Sequence, residues 1–460
     1  MKVNIAIIIG ILLAVSVVSA DKIRVGPTQA VKTIAQAIEK ARSGDVILLD
    51  AGRYTDSVTF NGELHFRSTS DKGDVIWAGV KAGQGAQVGA LHLKKGTQGE
   101  FSFSGIQFTG HSGWIIATPK QEKPARIDVT FTNCVFEDSL GIATELREVI
   151  LEECKSKKLT YGVTRCAEVE VTDTSFTQTG AVIARCKTVT MENCQIDTAD
   201  DVVVEAETAE VTNLKIINSK GTIFKKIKEI TGNELTLENG GVVGEDIAGS
   251  IDGLKVTNFA HGIVVAGERL VLSDAVFSNV KAVAINAKSK KLILDTVEIG
   301  FSKIAITDVS ELTASDLTIK NCSRALTDIG IAEISEAIIT DTDQVVFETI
   351  GKLTVEEAVI KNGGTLARNF AGSFEDLTVE NFKQGFINNK GDLVINTGTL
   401  NKIADAGIDA NGHALILSDI TITACGAAII NAPDITASDL KVVGCGTKAI
   451  AAPKKSEKKP

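Results

Sequence analysis

Apolar positions in this chain recur in a fixed order. Five segments starting 20 residues apart show it: VTFTNCVF from Val129, VILEECKS from Val149, VEVTDTSF from Val169, VTMENCQI from Val189 and AEVTNLKI from Ala209. The first column reads Val129, Val149, Val169, Val189, Ala209, and the third reads Phe131, Leu151, Val171, Met191, Val211. The sixth reads Cys134, Cys154, Thr174, Cys194, Leu214, and the eighth Phe136, Ser156, Phe176, Ile196, Ile216. The unit is apolar-x-apolar-x-x-apolar-x-apolar. Alternation by two is a strand with one face turned inward. The two polar positions in the middle mark a bend, after which the chain resumes inward pointing. The second of them is Asn133, Glu153, Asp173, Asn193 and Asn213, and Asn and Asp accept the left-handed backbone of tight turns.

The pattern returns at Leu270, Leu292, Leu312, Ala332, Leu353, Leu393, Leu415 and Ile435, and more loosely at Leu235, Gly249 and Gly372. Helical repeats need apolar spacing of three and four and longer periods, whereas these columns are rich in β-branched residues. The expected fold is all-β: a single parallel β-helix of coils about 20 residues long, each strand about 4.8 Å from its counterpart in the next coil. Parallel crossovers default to the right hand. One coil cannot bury its own apolar face, so the array counts as one domain.

The ends differ. Lys2, the apolar run Ile5 to Val15 and Val18-Ser19-Ala20 read as a signal peptide over residues 1–20, so the protein is expected to be secreted. The stretch from Thr28 to Asp45 reads as an amphipathic helix with Val31, Ile34, Ile38 and Ala41 on one stripe and Gly44 as its stop, followed by a strand Val46–Leu49 and a Gly52-Arg53-Tyr54 turn. The β-helix domain is expected over 21–451, and the Lys-rich residues 452–460 form a basic tail. The stretch TIAQAIEKARSGDVILLDAGRYTDSVTF, Thr33 to Phe60, resembles the capping helix and first coil of the pectin-lyase-like right-handed parallel β-helix superfamily. That resemblance implies fold more than activity, because its members include lyases, hydrolases, epimerases, phage tailspikes and proteins without a known reaction.

Net charge is −10 and the pI about 5.2, which excludes nucleic acid and anionic membranes as partners of the whole surface. Only two Tyr and two Trp are present. Asp197, Asp200, Asp201 and Glu205 form the best-placed acidic group. Asp200-Asp201 before Val202-Val203-Val204 resembles the paired-Asp motif of polygalacturonases, in which carboxylates act as acid and base. The motif is incomplete, since its nearest His-Gly, His261-Gly262, lies three coils away. A charge column of Glu145, Arg165, Arg185, Glu205 and Lys225 repeats at 20 residues. It reads either as surface ion pairs or as part of a polysaccharide lyase site, with Arg185 as base and Ca²⁺ as the one cofactor that reading admits. Arg165 beside Arg185 favours an anionic ligand between them. His111 and Trp114, in the irregular stretch from Gly110, read either as part of a loop that flanks a ligand groove or, the favoured reading, as an ordinary loop beside a buried Trp. Cys134 and Cys154, Cys166 and Cys186, and Cys425 and Cys445 are 20 apart and are the possible disulfides. In-register side chains point the same way, so stacked thiols are the favoured reading. The expected function is an extracellular scaffold or carbohydrate-binding protein with no other cofactor. The alternative is a lyase or glycoside hydrolase on uronate-containing polysaccharide.

Overall fold

Residues one period apart are vertical neighbours. Val129 pairs with Val149, Val149 with Val169, Val169 with Val189 and Val189 with Ala209, all in parallel register. The structure is a computed structural model that describes residues 20–70, 72–79, 88–119 and 125–446. The expected signal segment, except Ala20, and the expected basic tail lie outside the described residues. The chain forms a parallel β-solenoid of about 19 turns. Among the described residues, no helix is long and apolar enough to cross a membrane.

One coil, residues 146–165, shows the plan. Wall A is Leu146–Glu152. Walls B (155–157) and C (159–164) both belong to Lys155–Thr164. The corners between them are Glu153, Lys158 and Arg165, with φ of 52°, 54° and 54°. Three walls therefore meet at three left-handed corners. The first corner column is the Asn/Asp/Glu series read from the sequence, with φ of 52° at Asn133, 50° at Asp173, 53° at Asn193 and 49° at Asn213. Asn side chains also stack along the axis there. The Asn213 amide donates to Asn193 Oδ1 at 2.7 Å. At the second corner Asn258 donates to Asn239 (3.0 Å) and Asn279 to Asn258 (2.7 Å).

Two sequence expectations are corrected by a single inserted residue. Ala209 pairs with Ile230, so that coil starts at Ile230, and Leu235 stands under Leu214 in the sixth column. Val204 likewise pairs with Lys225, which leaves Lys226, not Lys225, beneath Glu205 at the third corner. Gly372 does pair with Leu393, and Leu393 with Leu415.

The N-terminal helix is shorter than its apolar stripe suggests. Helix α1 spans Ile34–Lys40, and Thr33 caps it by accepting the Gln36 N–H. Val31 is outside it, bridged to Val25. Ile34 and Ala37 are buried in the core, and Ile38 and Ala41 pack against it. The Gly52–Tyr54 segment is a short strand, not a turn, and pairs with Val75–Trp77. Its Tyr54 hydroxyl donates to the Asp50 carbonyl at 2.7 Å, and burial pushes its pKa up to about 12.

Inside the solenoid, like residues stack. Phe66, Phe103 and Phe131 form one column, with ring centroids 5.1 and 4.9 Å apart. Phe108 and Phe136 form another at 5.7 Å. Each such ring contributes roughly 1.5–3 kcal/mol by leaving water. The cysteines obey a second rule: all eight directly follow a left-handed corner residue, from Asn133 before Cys134 to Gly444 before Cys445. In every case Sγ lies 3.2–3.8 Å from the carbonyl oxygen two residues back. Thr174 Oγ1, in the same column as Cys154, donates to the Thr172 carbonyl at 2.9 Å. The position accepts a small side chain with one donor as well as an aliphatic one, since Leu214 and Leu235 continue the same column. All eight cysteines, including the six of the possible bridges, are unbridged thiols. Burial, and then the neighbouring Cys154, push the Cys134 thiol up, and burial takes Cys194 to about 11. Such thiols are poor nucleophiles.

Candidate functional site

The outer face of wall C carries one uneven column. Trp114 pairs with Gly141. The register of Ala143 on Val163 sets Gly141 over Tyr161, which pairs with Ala181, and Ala181 pairs with Asp201. A Cβ on Gly141 would lie 2.2 Å from Trp114 Cζ3. The indole therefore occupies the space of the missing side chain and reaches the ring one coil on. Trp114 and Tyr161 stack at 5.6 Å between centroids with 24° between planes. Trp77 and Tyr54 are in the core, so the other Trp and the other Tyr of the chain meet at this one place.

The third corner runs beside that column. Arg165 reaches back to Glu145 at 3.4 Å, and Arg185 reaches forward to Glu205 at 3.2 Å. The two arginines are adjacent in the stack but turn to opposite partners, which relieves their repulsion. Lys226 also bonds Glu205, at 3.2 Å. The hydrogen bond from Lys226, aided by Arg185 and opposed by slight burial, holds the Glu205 carboxyl below its usual range. Asp201 Oδ1 accepts the Thr222 N–H at 2.8 Å. Column and corner enclose a cavity of about 420 Å³, lined among others by Trp114, Tyr161, Arg165, Arg185, Asp201 and Glu205.

Five residues singled out in the sequence, Trp114, Arg165, Arg185, Asp201 and Glu205, are thus brought together. Two are not. Asp200 is exposed outside the cavity lining and gives its carbonyl to the Gly221 N–H at 2.7 Å. His111 is only 2% exposed: its Nε2 donates to the Trp77 carbonyl at 2.9 Å, and burial lowers its pKa. It supports the core and does not flank the groove. Tyr161 and Gly141 were not visible as site residues. Trp114 and Gly141 are 27 residues apart, so the 20-residue register does not align them.

The arrangement can bind a sugar ring. Aromatic faces stack on apolar ring surface, and arginine forks bind carboxylates or hydroxyls. It is less suited to hydrolysis, which needs one carboxyl kept protonated, because Glu205 is held as the anion. Among the described residues, no set of three metal-ligating side chains converges.

No family model matches the sequence, and neither does any curated protein. Solved structures overlay on it. The catalytic domain of a GH87 alpha-1,3-glucanase, in complex with tetrasaccharides, is 12% identical over 68% of this chain and 66% of its own, with a TM-score of 0.39. The chain spans just under two thirds of that domain. The PL6 family alginate lyase AlyGC is 11% identical over 89% of this chain and 88% of its own, with a TM-score of 0.28. The A-module of the Azotobacter vinelandii mannuronan C-5 epimerase AlgE6 is 12% identical over 89% and 93%, with a TM-score of 0.22. At these TM-scores the overlays carry no argument, and the functional reading rests on the groove itself.

Proposed function

We propose that the protein is exported and acts as an extracellular carbohydrate-binding solenoid, holding a polysaccharide chain in the groove on wall C. The Trp114–Tyr161 stack carries this reading. A chain with two Trp and two Tyr places one of each, ring on ring, in a cavity shared with two arginines and two carboxylates. The stack lies beside the dip at Ala181, so a ring laid on it reaches Asp201 and the Arg165–Arg185 pair. An enzymatic version keeps Asp201 and Arg185 in one cavity but lacks a second carboxyl free to act as acid.

The test is a panel of neutral and uronate polysaccharides, measured by calorimetry with wild type and Trp114→Ala. At least one polymer is expected to bind saturably, with Trp114→Ala weakening it roughly tenfold or more, as for a buried aromatic anchor. Absence of binding across the panel, or equal binding by the variant, contradicts the reading. The same mixtures, scanned for unsaturated products and new reducing ends, are expected to stay silent. A signal lost in Asp201→Ala would convert the protein into an enzyme.

A further inference from the structure

The third corner has a second side. Past it, at the start of wall A, lies a shallow depression of about 630 Å³ that shares Arg165, Arg185 and Glu205 with the groove. Five cations, Arg165, Arg185, Lys187, Lys226 and Lys228, line it against three carboxylates, Glu145, Glu205 and Glu207. That local excess of positive charge stands on a chain of net charge −10. The carboxylates are committed: Glu145 to Arg165, Glu205 to Arg185 and Lys226, and Glu207 to Lys228 at 3.3 Å. Lys187 is exposed and is paired with no carboxylate among the described residues. The small corner-following residues Cys166, Cys186 and Ala206, with Ala167, floor the depression. No bulky side chain separates it from the arginine rim.

We propose that this depression is a second subsite, which takes the anionic substituents of a polysaccharide whose sugar rings lie on Trp114 and Tyr161. The proposal rests on the carbohydrate reading and adds the chemistry of the ligand, a polyanionic chain that crosses the arginine rim from wall C to wall A. Carboxylate and sulfate ester share the chemistry that Lys187 and the arginine pair recognise. A positive patch on a negative protein also selects such chains from a distance.

The full-length mature protein is titrated with polygalacturonate, dextran sulfate and neutral dextran at several salt concentrations. Wild type, Lys187→Ala/Lys228→Ala and Trp114→Ala are compared, with thermal melts to establish folding. Wild type is expected to prefer one or both polyanions, and the polymer bound assigns carboxylate or sulfate. The double variant should lose roughly tenfold on polyanions and show a flatter salt dependence, since screened charge contacts have been removed. Unchanged polyanion binding by the double variant, or equal wild-type affinity for neutral dextran, overturns the subsite. Loss of binding in Trp114→Ala would leave the carbohydrate reading intact under that result. Wild-type binding by Trp114→Ala would sink the reading as well.

Discussion

Residues that follow a corner have two demands placed on them: they must point inward, and they face the carbonyl of the residue before the corner. Cys154 meets both, with Sγ 3.2 Å from the Glu152 carbonyl, and Thr174 meets them one coil later. This gives a place to seven buried cysteines and a half-exposed eighth in a chain expected to be exported, where free thiols are unusual. Burial, not pairing, protects them. Unfolded without reductant, the protein is expected to release eight reactive thiols, whereas the native protein should react only at Cys445, the one that is half-exposed. A thiol count of two in the unfolded state would mean bridges at the three stacked pairs. At this scale the sequence was informative about columns and less so about partners. It showed Cys134 above Cys154, but not the carbonyls they face. It placed His111 near Trp114, but these two residues, three apart, have different partners: His111 turns to the Trp77 carbonyl and Trp114 to Tyr161.

Walls and corners are the elements, and they were unequally legible. Wall A shows plain alternation, so its register from Val129 to Ala209 could be read directly. The first corner was legible because Asn and Asp favour left-handed backbone. The third corner was seen only as a column of charge, because Arg165, Arg185 and Glu205 hold φ of 54–59° with side chains that carry no turn signal. One inserted residue before Lys226 displaced the expected partner of Glu205. The N-terminal helix was over-extended because Val31 continues the stripe although it sits in a bridge. Wall C, which builds the groove, depends on Gly141. Gly141→Ala puts a Cβ within 2.2 Å of the Trp114 ring, so the indole must leave Tyr161. Near-ultraviolet circular dichroism should lose the stacked-aromatic signal, and polysaccharide affinity should fall by a factor similar to that of Trp114→Ala, with secondary structure unchanged. An unaltered aromatic spectrum and affinity would show that Gly141 does not position the platform.

The molecule as a whole is a stack in which each coil is stabilised by its neighbours, with α1 over the first coil. Such a scaffold presents side chains at intervals of about 4.8 Å along flat walls. The groove differs because an aromatic pair, a two-arginine rim and a basic depression fall on successive coils around one corner. The proposed binding function rests on this coincidence. Trp77 is fully buried among core rings, so indole fluorescence that responds to ligand can come only from Trp114. Titration of the protein with oligogalacturonides, and in parallel with neutral gluco-oligosaccharides, while following that emission is the most direct measurement. A saturable change is expected for at least one series, and none in Trp114→Phe. Emission that stays constant while calorimetry records binding would place the ligand elsewhere and contradict it.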